Sequence, residues 1–211
     1  MSAAYPFSRG DDERKCMNYI TALGIAVTFA LPHAADAQGV TPPPVPASIQ
    51  VPASNEAFLL GRAVGTQNYV CAPYTSIGHV AWTLFTPQAT LFSGDAEQLT
   101  THFFSPNPFE NGVVRATWQD SRDTSTVWGR AIASSVDPNF VTPGAIPWLL
   151  VEVVGAAEGP TGGNTLAATT FIQRVNTVGG AAPSAGCDLP KDLGKRAFVP
   201  YTADYVFYKA S

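Results

Sequence analysis

Short runs of alternating apolar and polar residues, each cut off by a turn, dominate this chain and limit its fold more than any other feature. AFLLGRAV (57–64) gives way at Gly65 to TQNYVC (66–71). HVAWTLF (79–85) and ATLF (89–92) flank Thr86-Pro87-Gln88, which reads as a hairpin turn. Residues 99–104 form another short run, and the Pro, Asn and Gly of SPNPFENG (105–112) mark a loop. VVRATWQ (113–119) and TVWGRAIA (126–133) enclose the polar turn DSRDTS. PWLLVEVVG (147–155) is the most hydrophobic run, and a glycine-rich loop follows it. FIQRVNT (171–177) and YTADYVFY (201–208) close the chain around a second glycine turn and Cys187. Nothing after residue 37 keeps a helical period of about 3.6 residues for three turns. Nine or ten short antiparallel strands joined by turns mean an all-β sandwich or barrel, and of these a sandwich or a jelly-roll-like variant of one is expected over residues 55–211.

The first 37 residues read differently. Residues 20–31, ITALGIAVTFAL, are almost wholly apolar, with Arg14 and Lys15 before them and Ala35-Asp36-Ala37 after. A basic flank, an apolar run and small residues at the cleavage positions make a secretory signal peptide. A membrane span is the competing reading, but it needs about 20 apolar residues, and Pro32-His33 ends this run early. Residues 38–54 then hold five prolines and no charge, which predicts an extended, polyproline-like leader.

Export would remove three of the 12 basic residues and four of the 16 acidic ones, leaving nine and twelve. That mild acidic excess argues against nucleic acid and against an anionic membrane surface as partner, since both are bound by clustered Lys and Arg. Cys16 would be lost with the signal peptide. Cys71 and Cys187 remain, and in an oxidising compartment a lone pair is expected to be bridged, two buried thiols being the alternative.

Familiar catalytic patterns are missing. There is no G-x-S-x-G, no H-E-x-x-H and no C-x-x-C, and neither nucleotide-binding glycine motif occurs, so no cofactor is expected. After residue 37 the only histidines are His79 and His102. A hydrolytic or metal-dependent site would need one or both beside a carboxylate such as Asp95 or Glu97. Asp120 and Asp123 flank Arg122 in a turn, where carboxylates cap backbone donors more often than they catalyse. By strand alternation Glu152 shares a face with Trp148, Leu150 and Val154, and is expected beside solvent or an arginine. Trp82, Trp118, Trp128 and Trp148 all fall in strand segments, as core residues or as platforms for a ligand. Arg174 lies opposite Phe171, Gln173 and Val175, and is read either as a partner of Asp204 or as a ligand contact.

The strings VPASNEAFLLGRAVGTQNYVC, THFFSPNPFENGVVRATWQDSRDTSTVWGRA, IPWLLVEVVG, TTFIQRVNTVGGAAPSAGC and YTADYVFY carry a family resemblance. Together they span most of residues 51–208, and the chain resembles in them the family catalogued as domain of unknown function 3455. The resemblance implies a secreted all-β domain with one long-range cysteine pair. It brings no activity and no catalytic residues.

The expectation is therefore a secreted, non-catalytic binding or structural protein, extracellular or periplasmic, for a small apolar ligand or a glycan. His79, Trp82, His102, Trp118 and Arg174 are its candidate ligand contacts. The alternative is a hydrolase or metal-dependent enzyme built on His79 or His102.

Overall fold

A computed structural model describes residues 39–74, 79–188 and 191–211. The expected signal peptide and Cys16 lie outside the described residues. The chain divides after Ala37, and the described residues all belong to the unit Gln38–Ser211. Among them no helix is long and apolar enough to cross a membrane.

The strands are β1 (Asn55–Pro73), β2 (Val80–Phe92), β3 (Gln98–Asn107), β4 (Val113–Asp120), β5 (Thr126–Ser135), β6 (Trp148–Ala157), β7 (Thr169–Gly179) and β8 (Arg196–Ala210). Each pairs antiparallel with the next, and β8 returns to pair with β1, so the sheet closes into a barrel. The fold is all-β and antiparallel, but it is an eight-stranded closed barrel and not a sandwich of nine or ten strands.

The two errors in strand count have one cause. Residues expected to break strands lie inside them instead. AFLLGRAV and TQNYVC are halves of β1, which runs straight through Gly65. A Cβ on Gly65 would collide with the Gln88 carbonyl, so the missing side chain lets β2 approach closely there. Likewise β2 passes through Thr86-Pro87-Gln88 without turning. Pro87 faces Gln67 of β1, but the β2–β3 ladder begins only at Ala89, so the proline has a strand partner on one side alone. There Thr86 Oγ1 substitutes for a ladder carbonyl and accepts the Phe104 N–H at 3.2 Å.

Alternation then sorts side chains between two cores. Ala63, Leu91, Trp118, Val127, Val151, Tyr205 and Phe207 point into the barrel. Trp148, Leu150, Val175, Val206 and Tyr208 form a second cluster on the outer face of β6, β7 and β8. The Pro-rich leader covers that face. Its Ile49, in a single 3-10 turn at Ala47–Ile49, is fully buried there. Gln173 fixes the contact by donating its side-chain N–H to the Ile49 carbonyl at 2.7 Å.

Cys71 and Cys187 form a disulfide that ties the end of β1 to the β7–β8 connection, with the Cα atoms 5.4 Å apart. Beside it the Cys71 N–H donates to the Lys195 carbonyl and the Gly194 N–H to the Cys71 carbonyl, both at 2.8 Å.

Candidate functional site

The barrel interior has a filled half and an open half. Where even-numbered strands end, Leu91, Val127, Leu166, Ile172 and Phe207 are fully buried and plug the barrel. Leu166 comes from the β6–β7 connection, held by its N–H donating to Ser125 Oγ at 3.0 Å. Toward the opposite end the interior opens into a cavity of about 480 Å³. Its walls are mostly apolar, with Leu149, Val151 and Ile146 on one side and Phe104 and Trp118 on another.

His102 and Trp118 are cross-strand partners on β3 and β4. Their rings stack with centroids 4.3 Å apart and planes 12° from parallel. Tyr205 of β8 leans on both, at 5.2 Å from His102 and 5.7 Å from Trp118. Nδ1 of His102 lies 2.9 Å from the Thr117 carbonyl oxygen. A carbonyl only accepts, so Nδ1 carries the proton and Nε2 presents a lone pair. Burial pushes the imidazole pKa down to about 3; the Thr117 bond opposes this, and the Arg174 charge adds to it. His102 is a neutral acceptor at Nε2 across the physiological range.

Arg174 enters from β7, opposite Tyr205 of β8 and Leu149 of β6. Its Nε and Nη2 both donate to the Pro147 carbonyl, at 3.2 and 2.8 Å. The expected pairing with Asp204 is not formed, because strand alternation turns Arg174 inward and Asp204 outward. Asp204 instead accepts a hydrogen bond from Asn176 at 2.8 Å. Among the described residues no carboxylate pairs with Arg174. Two other arginines reach the cavity wall, but each has its own acid: Arg115 binds Glu110 at 2.7 Å and Arg130 binds Glu152 at 2.6 Å. The Arg115 hydrogen bond draws the Glu110 pKa down to about 2.

Gln67 and Tyr69 complete the polar wall from β1. Tyr69 donates its hydroxyl to the Gly180 carbonyl at 2.7 Å. Burial raises its pKa, and the Arg174 charge opposes that rise. The Gln67 amide is close enough to the Tyr201 hydroxyl to influence its ionisation, yet its Nε2 makes no well-formed hydrogen bond. The Trp118 indole N–H is likewise without an acceptor among the described residues.

Of the five residues singled out from sequence, the structure brings His102, Trp118 and Arg174 together at this cavity. The other two lie elsewhere. His79 is exposed just before β2, and its carbonyl accepts the Tyr74 N–H at 2.9 Å. Trp82 donates its indole N–H to the Ala185 carbonyl at 2.9 Å, bracing the connection that carries Cys187. The two histidines are thus not neighbours across a cleft, and among the described residues no three His, Cys, Asp or Glu side chains converge.

The acidic candidates have structural partners. Asp120 accepts the backbone N–H groups of Arg122 and Asp123, at 2.8 and 2.9 Å. Asp123 accepts those of Ser125 and Thr165, at 2.8 and 2.9 Å. Burial would raise the Asp123 pKa, but these hydrogen bonds outweigh it and hold the group below the usual carboxylate range. Glu97 pairs with Arg122 at the surface. Sequence reasoning missed Gln67, Tyr69 and Tyr205 as cavity residues. The available signal was their place on the inward-facing positions of β1 and β8, which only the correct barrel register reveals.

No match was found among curated proteins or among solved structures. A family model described as protein of unknown function (DUF3455) matches residues 52–209, which takes in the barrel strands except the last residue of β8, and both bridged cysteines. The chain belongs to that family.

Proposed function

We propose that the protein is a secreted binding protein that holds a small, largely apolar molecule in the open half of its barrel. One observation carries this reading: a cavity of about 480 Å³ enclosed by a closed sheet and plugged at one end. Small-molecule sites run from about 300 to 1,000 Å³ and combine apolar walls with a few polar groups. Eight strands give the width that holds either side chains or one small ligand. A glycan presents many hydroxyls and needs many partners, which these walls do not offer. A hydrolase or metal site would need a carboxylate beside an imidazole, and among the described residues no Asp or Glu lines the cavity around His102.

Export is supported by the signal-like residues 1–37 and by the disulfide, which persists in oxidising compartments. The exported chain is expected to begin at Gln38, as read by N-terminal sequencing or intact mass.

Binding is tested with the neutral fluorescent probe N-phenyl-1-naphthylamine. The folded protein should bind it with saturable enhancement. Ala116→Phe, which puts a ring into the cavity from β4, should weaken that binding at least about tenfold. Equal probe binding by both proteins would locate the site elsewhere and defeat the proposal.

A further inference from the structure

We infer that the ligand is a monocarboxylate, with its anionic end on Arg174 and its apolar body along Trp118, Leu149 and Val151. The inference deepens the binding role proposed above and rests on it.

Positive charge inside the cavity is only partly balanced. Among the described residues three arginines and no Asp or Glu line it. Arg115 and Arg130 are neutralised by Glu110 and Glu152. Arg174 is left with one carbonyl, that of Pro147, for two of its N–H groups. A half-buried guanidinium without an anion is unfavourable, because a charge removed from water needs a partner. Its planar fork suits a carboxylate better than any neutral group.

The neighbouring polar groups agree. Gln67, only 2% exposed, is on the same wall, and beyond its approach to the Tyr201 hydroxyl its side-chain N–H₂ makes no well-formed hydrogen bond among the described residues. The nearby hydroxyl of Tyr69 is already committed to Gly180. One under-used amide donor beside a lone cation matches a single carboxylate on an otherwise apolar ligand. His102 Nε2, with no hydrogen bond to the described residues, can accept from a hydroxyl on that ligand or from a bridging water. The remaining wall is aliphatic and aromatic, so the rest of the ligand is apolar.

Matched acid and alcohol pairs test this by isothermal titration of the exported chain: decanoate against 1-decanol, and 3-phenylpropanoate against 3-phenylpropanol. At least one acid should bind ten times or more tightly than its alcohol. Arg174→Gln, which keeps an N–H donor for Pro147, should lose that preference while alcohol binding stays within about twofold. Arg174→Lys should keep most of the preference. Near-ultraviolet circular dichroism reports whether each variant is folded, and the comparison in the unmodified protein needs no variant. Alcohols that bind as well as acids would overturn the carboxylate assignment while leaving the binding role intact. Failure of all four compounds and of N-phenyl-1-naphthylamine would overturn both.

Discussion

His102 is held neutral by its position in the cavity. It is stacked on Trp118, tied through Nδ1–H to the Thr117 carbonyl and overlooked by the Arg174 charge. Its folded pKa of about 3 lies below the ordinary 6.5. Between those values the unfolded chain takes up a proton that the folded chain refuses. Stability is therefore full above about pH 6.5 and falls as the pH drops, by about 1.4 kcal/mol per pH unit. Carboxylates with depressed pKa values, Glu110 and Asp123, add to the loss only lower, as pH falls through the ordinary carboxylate range. Urea unfolding at about pH 7, 6 and 5 should show the decline, and His102→Gln should flatten it. A wild-type profile with no slope over that range would refute the buried, neutral assignment. The sequence marked His102 as chemically interesting because histidines are scarce. It could not say that the ring is desolvated, since burial on β3 depends on which strands surround it.

At the scale of elements, the leader and the outer face of β6, β7 and β8 depend on each other. Trp148, Leu150, Val175 and Val206 are apolar residues on the outside of a barrel, and Ile49 with Val45 and Val51 covers them. The sequence shows the leader's extended character through its prolines. Its docking is foreshadowed only weakly, by both faces of PWLLVEVVG being apolar. That pattern fits a strand buried on two sides, and here the second layer is the leader. Ile49→Ala should destabilise the protein by about 2–4 kcal/mol through lost burial and an unfilled site. Chemical denaturation measures this, and a loss under about 0.5 kcal/mol would mean that the leader is a passive spacer. β1 and β2 teach the opposite lesson about legibility. Their glycines and Pro87 were visible, but a residue that ends one strand lies inside another. Only the partner strand decides which, as Gln88 and Ala89 do at Gly65.

At the scale of the molecule, what distinguishes this fold from a sandwich is one seam, where the first strand meets the last. Alternation along each strand is identical in the two architectures, so strand patterning was readable and closure was not. The seam is long, with β1 and β8 paired from Asn55↔Ala210 to Val70↔Arg196. Cys71 follows immediately, and its bridge to Cys187 spans 116 residues of sequence. Forming this seam is the least local step in folding, because it closes a loop containing every other strand. The disulfide keeps the two ends of that loop together in the unfolded chain. Reducing it, or replacing both cysteines by alanine, should therefore cost roughly 2–5 kcal/mol. If seam formation belongs to the folding transition state, that loss appears as slower refolding with an almost unchanged unfolding rate. Stopped-flow refolding and unfolding in guanidinium, with and without the bridge, separates the two rates. A bridge-free protein that refolds at the wild-type rate but unfolds faster would show that the seam zips after the barrier, with the barrel assembled from neighbouring hairpins first.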